Sequence, residues 1–204
     1  MDECRLILVE GITALNLTVD EQKIDQLLAF IKLIEKWNKA YNLTAITKRH
    51  DMVRLHLLDS LTVIPYLEGE RIIDIGTGAG LPGIPLAIWL PNISFTLLDS
   101  NAKKTRFVQQ VVLELKLANV DIQHSRTEDY QPQQPFGTAL TRAFAELADI
   151  IAITRHLLAK NGLLLAMKGH CPEQELAKVK SSTSVIPVRI PGVEAERNLV
   201  LIKP

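Results

Sequence analysis

Apolar residues recur along the first third of the chain at the spacing of an amphipathic helix. The first stripe, at intervals of three and four residues, consists of Ile24, Leu27, Leu28, Ile31, Ile34 and Trp37. Thr18 or Asp20 can cap its start, because a side-chain oxygen there accepts hydrogen bonds from free backbone N–H groups. A second stripe predicts a helix over residues 51–64 with Asp51 as its cap; it consists of Val53, Leu57, Leu58 and Leu61. The first 68 residues therefore read as a helical region.

The pattern changes at residue 71, where short apolar runs begin to alternate with amphipathic segments. Strands are predicted at residues 71–75, 94–99, 120–124, 138–141 and 162–168, and a closing pair at 185–190 and 198–203. Helices are predicted after the glycine-rich segment up to about residue 90, and at 103–117, 146–159 and 173–180. This alternation indicates an α/β fold with a mainly parallel sheet and helices on both faces. We expect a helical extension, residues 1–68, packed on an α/β domain, residues 69–204.

Composition narrows the class of protein. The chain of 204 residues carries 23 basic and 23 acidic side chains and is 47% apolar, which excludes long disorder and a tail-driven nucleic-acid binder. The two cysteines and five histidines lack the spacing of a disulfide framework or a metal site, so we expect no metal. The chain starts without a signal-peptide pattern, and its most apolar stretch, residues 81–90, is too short to span a bilayer. These features predict a reduced, cytoplasmic protein without a membrane partner.

A glycine-rich turn follows the first predicted strand. Residues 74–83 read Asp-Ile-Gly-Thr-Gly-Ala-Gly-Leu-Pro-Gly, between a strand and a helix. Ligands of doubly wound sheets bind outside the carboxyl ends of strands, and glycines there permit positive φ and a close approach of the ligand. Asp99 ends the second predicted strand, 19 residues after Gly80, where a carboxylate can accept hydrogen bonds from ribose hydroxyls. The sequence therefore predicts a nucleotide-like ligand.

Two interpretations of this turn are open. Gly78 to Gly83 match GxGxxG, which would suit a NAD(P)-dependent oxidoreductase. Asp74 to Gly80 match DxGxGxG, which is typical of methyltransferases that use S-adenosylmethionine. An anion at Asp74 suits a cationic sulfonium and amino group and opposes a pyrophosphate, and Gly76 directly follows the strand. The methyltransferase interpretation is favoured, and a tight turn without any ligand is a further alternative.

Four segments resemble one family, the bacterial small-subunit rRNA methyltransferase G family, also called glucose-inhibited division protein B. They are residues 37–44, Trp-Asn-Lys-Ala-Tyr-Asn-Leu-Thr, and residues 74–87, 97–100 and 142–144. The resemblance implies a Rossmann-like class I S-adenosylmethionine-dependent methyltransferase. It further implies methyl transfer to N7 of a single guanine, with 16S rRNA or the small ribosomal subunit as partner. A methyltransferase acting on another RNA or on a small molecule, and a non-enzymatic rRNA-binding protein, are alternatives.

The resemblance also assigns cofactor positions. The motif and the family positions together give Asp74, Gly76, Gly78, Leu81, Asp99, Thr127, Glu128 and Arg142. Glu128 or Asp129 could accept a hydrogen bond from the adenine amino group, and the alternative is a solvated turn. For Arg142 the alternative is a salt bridge with Glu146, four residues later.

No catalytic base is required by the implied chemistry. Guanine N7 is an exposed lone pair, so catalysis can rest on alignment with the methyl group. Arg142 and Phe144 are candidates near the target base; Phe144 would either stack on it or lie in the core. Cys171 lacks the supporting motif of a methyltransferase that uses a thiolate nucleophile, so we interpret it as incidental.

Charge is unevenly distributed: residues 1–70, 71–130 and 131–204 carry net charges of −3, 0 and +3. Basic clusters are candidate rRNA surfaces, because phosphate contacts supply much of the affinity, and the alternative is solvated helix faces. The candidates are Lys36, Lys39, Lys48, Arg49, Arg54, Lys103, Lys104, Arg106, Lys168 and Arg197. A family-typical polar cluster could either face RNA or fix the N-terminal helices to the sheet; it consists of Arg54, His56, Asp59 and Ser60.

Nothing in the sequence indicates an obligate dimer, so we expect a monomer.

Overall fold

The computed structural model describes residues 3–142 and 145–204. Its N-terminal part contains the helices α1, Glu3–Ala14, and α2, Glu21–Tyr41. Asp20 caps α2, because its side chain accepts a hydrogen bond from the backbone N–H of Lys23 at 3.1 Å. The helix ends where Asn42 adopts a left-handed conformation with φ of 50°. Among the helices of the described ranges, none combines the length and the apolar character needed to cross a membrane.

The third helix, α3, covers residues 49–61 and changes its winding along its length. It is α-helical over Arg49–Met52, π-helical over Val53–Leu58 and α-helical again over Asp59–Leu61. The helix begins at Arg49, so the prediction that Asp51 caps it is wrong: Asp51 lies within its first turn. Segments of π-helix frequently accompany functional sites, because the extra residue per turn redirects side chains and carbonyl groups. A 3-10 turn, Ile64–Tyr66, then leads to the sheet.

The sheet has seven strands in the order β3-β2-β1-β4-β5-β7-β6. The strands are β1, Arg71–Ile75; β2, Ser94–Asp99; β3, Val120–His124; β4, Phe136–Arg142; β5, Leu158–Lys168; β6, Ser182–Pro187; and β7, Asn198–Lys203. β1 to β5 pair in parallel, whereas β7 is antiparallel to both β5 and β6. The carboxyl ends of β1, β2, β3, β4 and β5 therefore meet at one edge, where ligands of such sheets bind.

Helices cover both faces of the sheet, which confirms the predicted layered α/β fold. The helices of this part are α4, Gly83–Trp89; α5, Ala102–Leu115; α6, Leu147–Thr154; and α7, Glu173–Leu176. Ile72 belongs to a core cluster shared with Ile31 of α2 and Leu58 of α3. The next residue, Ile73, points to the other face and packs in a cluster with Leu147 of α6. The N-terminal helices thus share one hydrophobic core with the sheet.

Several element boundaries differ from the prediction, and two of the differences have a clear cause. β6 runs over Ser182–Pro187 instead of residues 185–190, because its pairing with β7 fixes the register. A polar start is tolerated there, since β6 is an edge strand with few buried side chains. The helix predicted at 146–159 ends at Thr154, and Leu158 already belongs to β5, where it pairs with Phe136. In both cases long-range strand pairing overrides the local pattern.

Candidate functional site

A cavity of about 390 Å³ opens at the carboxyl edge of the sheet, and we call it the first cavity. Its walls come from the ends of β1, β2 and β4, the start of α5, and the turn after β3. The lining residues are Gly76, Leu98, Asp99, Ser100, Asn101, Lys104, Ser125, Arg126, Thr127, Glu128 and Arg142. Five of the eight predicted cofactor residues therefore meet in one cavity.

The glycine-rich turn forms one rim of the first cavity. Gly76, Gly78 and Gly80 have φ of 66°, 59° and 80°, a region that side chains disfavour. Asp74 stabilises the turn through two hydrogen bonds. Its Oδ2 accepts one from Thr77 Oγ1 at 2.7 Å and one from the N–H of Gly83 at 2.9 Å. The predicted strand–turn–helix is present, and the carboxylate of Asp74 holds its ends together.

Asp74 is a buried acid with one satisfied oxygen. Its side chain is fully buried, and Oδ1 has no hydrogen-bond partner among the described residues. Burial raises the pKa of Asp74 to about 6, although the hydrogen bonds from Thr77 and Gly83 oppose the rise. Asp74 does not line the first cavity. Any attraction of its carboxylate for a positively charged ligand would therefore act from behind the turn.

We expect the substitution Asp74→Asn to change the pH dependence of stability. The folded pKa of about 6 lies above the ordinary value of 3.8, so the stabilising contribution of Asp74 is complete below pH 3.8 and is lost as the pH rises through 6. The amide keeps an acceptor and has no charge to bury. The unfolding free energy of the variant minus that of the unaltered protein should therefore increase by roughly 2–3 kcal/mol from pH 4 to pH 8. Urea unfolding of the ligand-free proteins at both pH values measures this difference, and a pH-independent difference would contradict the expectation.

Asp99 stands at the end of β2 and connects the turn to the cavity. Its Oδ2 accepts a hydrogen bond from the N–H of Gly78 at 2.9 Å, and its Oδ1 accepts one from the N–H of Asn101 at 2.8 Å. Asp99 is 7% exposed and lines the first cavity. Each carboxylate oxygen can accept a second hydrogen bond. Asp99 is therefore positioned and free to receive hydroxyl groups of a ligand.

The turn after β3 supplies the opposite wall. Thr127 is buried and Glu128 is exposed, and both line the first cavity, whereas Asp129 is exposed and does not. Of the two acids considered for an adenine amino group, the structure places Glu128 at the cavity.

Arg142, at the end of β4, lies in the walls of two cavities. Its Nη1 donates to the carbonyl of Leu55 at 3.2 Å and to Asp59 Oδ2 at 3.4 Å, both on α3. The alternative pairing with Glu146 is wrong, because Arg142 belongs to a strand and the two residues share no helix. Glu146 pairs with Lys178 at 2.9 Å.

The second cavity, of about 480 Å³, lies beside the first and is walled by α3, the segment before α3, and the ends of β4, β5 and β7. Its apolar walls are Ile46, Leu55, Val63, Met167, Val188 and Leu199. Its polar side chains include His56, Asp59, Arg142, Lys168, Arg197 and Asn198. Apolar walls with a few convergent polar groups are typical of small-molecule and base-binding pockets. The second cavity therefore has the character of a ligand-binding site.

His56 is held in the wall of the second cavity by a chain of hydrogen bonds. Its Nε2 lies 3.0 Å from Thr44 Oγ1, and the backbone of Thr44 is bound on both sides by the amide of Asn38. Burial, together with the positive charge of Arg142, lowers the pKa of His56 to about 4. The imidazole is therefore neutral at pH 7.

Several predicted residues lie elsewhere. Gly78 and Leu81 do not line the first cavity: Gly78 acts through its N–H, and Leu81 is buried in the core. Phe144 lies outside the described residues. Lys168, predicted to contact RNA, donates to the carbonyl of Ala145 and to both oxygens of Glu175. These contacts bind its ammonium group to the protein itself, although its side chain also lines the second cavity.

The other basic candidates lie in different settings. Lys36, Lys39 and Arg49 line a groove of about 640 Å³ on the N-terminal helices, where Arg49 also pairs with Glu35. Lys48, Lys103 and Arg106 are exposed, and Arg54 is half-buried beside Gly192.

Lys104 lines the first cavity and Arg197 lines the second. Lys104 was predicted as an RNA contact in the cluster that follows Asp99, and the structure places it in the wall of the first cavity. Ser100, Asn101, Ser125 and Arg126 were missed by sequence reasoning, because they carry no distinctive motif.

The fold resembles those of solved methyltransferases. A methyltransferase from Geobacter sulfurreducens superposes with a TM-score of 0.62 and 14% identity, covering 86% of this chain and 90% of that one. The precorrin-6y C5,15-methyltransferase from Geobacter metallireducens gives a TM-score of 0.56 and 16% identity, covering 78% of this chain and 90% of that one. At such identities the likeness concerns the fold alone. The sheet order, the antiparallel β7 and the glycine-rich turn define a class I methyltransferase fold.

Sequence comparison gives the family. The family described as rRNA small subunit methyltransferase G matches residues 23–200. The ribosomal RNA small subunit methyltransferases G of Nitrosococcus oceani and Photobacterium profundum are 47% and 48% identical to this chain. The alignments cover 97% and 96% of this chain and 94% and 96% of those proteins. The chain belongs to the rRNA small subunit methyltransferase G family.

Proposed function

We propose that this protein transfers a methyl group from S-adenosylmethionine to N7 of a single guanine in 16S rRNA. The observation that carries the proposal is the pair of adjoining cavities with Arg142 in both walls. One cavity is rimmed by the glycine-rich turn, and the other has the apolar walls that suit a base. Membership of the family favours this interpretation of the turn over a NAD(P)-dependent oxidoreductase.

The residues of the first cavity fit S-adenosylmethionine. When bound, this cofactor supplies an electrophilic methyl group on a positively charged sulfur. Asp99 would accept hydrogen bonds from the ribose hydroxyls, and Glu128 would accept one from the adenine amino group. Behind the glycine-rich turn, the buried Asp74, whose Oδ1 has no partner among the described residues, adds a negative charge that a cation in the cavity would compensate. Of these acids, Asp74 is the one that would oppose a pyrophosphate at the turn, because an acid on the ribose is compatible with either ligand.

The role of Glu128 can be separated from that of its neighbour. We expect Glu128→Ala to weaken the binding of S-adenosylmethionine by about tenfold, the usual effect of losing one hydrogen bond to a charged group. Asp129→Ala is the matched control, since this acid is exposed and lies outside the first cavity, and it should leave the affinity unchanged. Titration calorimetry measures both, and equal losses would indicate a general effect of negative charge.

The second cavity would hold the target guanine. Its N7 is a lone pair that needs no proton removed, so the residues of this cavity have to orient the ring and exclude water. The neutral imidazole of His56 and the apolar walls fit this task. A base enters such a cavity by leaving its stack, which costs least in single-stranded or loop RNA.

For the rRNA backbone we propose the groove lined by Lys36, Lys39 and Arg49, with Lys48 next to Arg49 in the chain and Lys103 and Arg106 at the start of α5. Exposed basic side chains supply phosphate contacts whose strength falls with salt.

The protein would work as a monomer in the cytoplasm, where its rRNA partner is found. The internal contacts of Lys168 argue for a structural role of that residue.

The decisive experiment supplies labelled S-adenosylmethionine with naked 16S rRNA in one arm and 30S subunits in the other, and then maps the modified base. We expect label at N7 of one guanine, and the faster arm identifies the substrate. Label on a carbon or an exocyclic amine would reject N7 transfer. Cofactor binding with no labelled RNA in either arm would favour a small-molecule substrate or a binding role.

A further inference from the structure

Asp59 is a buried carboxylate whose hydrogen-bonding capacity is only half used. It stands at the junction of the π-helical segment of α3 with the final turn and is 5% exposed. Its Oδ2 accepts a hydrogen bond from Arg142 Nη1. Its Oδ1 accepts none from the described residues, and Arg197 Nε approaches it only to 3.8 Å. A buried acceptor without a hydrogen bond costs free energy, and a ligand that donates to it removes this cost.

The unsatisfied oxygen belongs to a side chain that lines the second cavity. Burial raises the pKa of Asp59 above its ordinary value, and Arg142 and Arg197 oppose that rise. Two guanidinium groups lie within 4 Å of its oxygens, Arg142 Nη1 at 3.4 Å and Arg197 Nε at 3.8 Å, and a carboxylate paired with them can only accept hydrogen bonds. The wall of the second cavity thus contains an acceptor, Asp59, hydrogen-bonded to a donor, Arg142.

Guanine is the base that complements this order of groups. Along its Watson–Crick edge, the 2-amino group and N1–H donate, and O6 next to them accepts. Adenine presents the opposite polarity, an acceptor at N1 and a donor at its 6-amino group. An adenine in the second cavity would therefore place acceptor against carboxylate and donor against guanidinium, and unpaired buried groups of this kind discriminate strongly.

We propose that Asp59 reads the Watson–Crick edge of the target guanine, accepting hydrogen bonds from N1–H and the 2-amino group, while Arg142 donates to O6. This inference rests on the proposed function and adds the residue that selects the base. N7 takes no part in these contacts, so its lone pair stays available for the methyl group.

The test pairs a change in Asp59 with the removal of one atom group from the RNA. Inosine keeps N7, O6 and N1–H and lacks the 2-amino group, so it is placed at the target position of the RNA. Methyl transfer is measured in single turnover with enzyme in excess, which gives a rate even for slow variants. The unaltered protein should methylate the inosine RNA at least about tenfold more slowly than the guanosine RNA. Asp59→Ala should lower the guanosine rate and bring the ratio of the two rates close to one.

Controls make each outcome decisive. Asp51→Ala, on the same helix but outside both cavities, should keep the ratio of the unaltered protein. Thermal unfolding shows whether Asp59→Ala is folded, and Asp59→Leu, which fills the space without an acceptor, replaces it if it is not. A ratio in these variants equal to that of the unaltered protein would overturn the proposal and leave Asp59 as a support for Arg142. If the unaltered protein methylates the inosine RNA and the guanosine RNA at equal rates, the 2-amino group is not recognised and the proposal is overturned. Failure of the proposed function is distinct, since the guanosine RNA itself would then remain unmethylated.

Discussion

Replacing Asp99 by alanine is expected to weaken the binding of S-adenosylmethionine by about 100-fold or more. The carboxylate would lose its hydrogen bonds to the ribose hydroxyls, each worth about 1.5–3 kcal/mol when one partner is charged. It would also release the N–H of Gly78, which Oδ2 now holds at 2.9 Å. The substitution therefore removes a ligand contact and loosens the turn that forms the rim of the cavity.

Titration calorimetry measures this loss directly. Asp121→Ala is a suitable control, because Asp121 is an exposed acid on the neighbouring strand β3 and lies outside the first cavity. Thermal unfolding of both variants without ligand shows that the fold is retained. If the affinity of the Asp99 variant matches that of the control, the ribose role of Asp99 is refuted.

Replacing Arg142 by alanine is expected to reduce methyl transfer at least about 100-fold, because the group that lines both cavities would be missing. The folded protein should also lose roughly 1–3 kcal/mol of stability, since the carboxylate of Asp59 would keep its burial and lose its hydrogen-bonding cation. This loss of stability is smaller than that expected for a fully buried ion pair, because Arg142 is partly exposed to solvent.

The stability loss of Arg142→Ala should depend on pH in a defined direction. Without the guanidinium, the pKa of Asp59 would rise further above its ordinary value. An acid with a raised folded pKa is stabilising at low pH and loses this contribution as the pH rises. Urea unfolding should therefore show a larger loss at pH 8 than at pH 5, and Asp59→Asn added to Arg142→Ala should restore part of it. Arg155→Ala, which removes an exposed arginine outside both cavities, should show no such trend.

The parts of the fold that depend on local sequence were predictable. β1 and β2 are buried apolar runs with abrupt ends, and their boundaries at Arg71–Ile75 and Ser94–Asp99 match the prediction. The glycine-rich turn was recognisable because positive φ restricts the choice of residue to glycine. Asp99 could be found because its place at a strand end follows from the strand itself. For these features the chemistry of neighbouring residues decides the structure.

The parts that depend on contacts distant in sequence were not predictable from local patterns. Arg142 and Asp59 are 83 residues apart, and only the packing of α3 against the end of β4 brings them together. The partner of Lys168, Glu175, likewise becomes visible only once α7 is placed. A charge pattern shows that a lysine is present, but burial and partners determine whether it faces RNA or holds the protein together. For the same reason, the strand predicted at residues 185–190 lies three residues earlier in the structure, as β6 over Ser182–Pro187.

The position of Arg142 between the two cavities also has a thermodynamic consequence. A ligand in either cavity that draws this guanidinium toward itself changes the environment offered to the other ligand. Such coupling is reciprocal: the factor by which the cofactor alters the affinity for the base equals the factor by which the base alters the affinity for the cofactor. The order in which the two bind, and the release of the product when its ring has become cationic, would then depend on the placement of a single side chain.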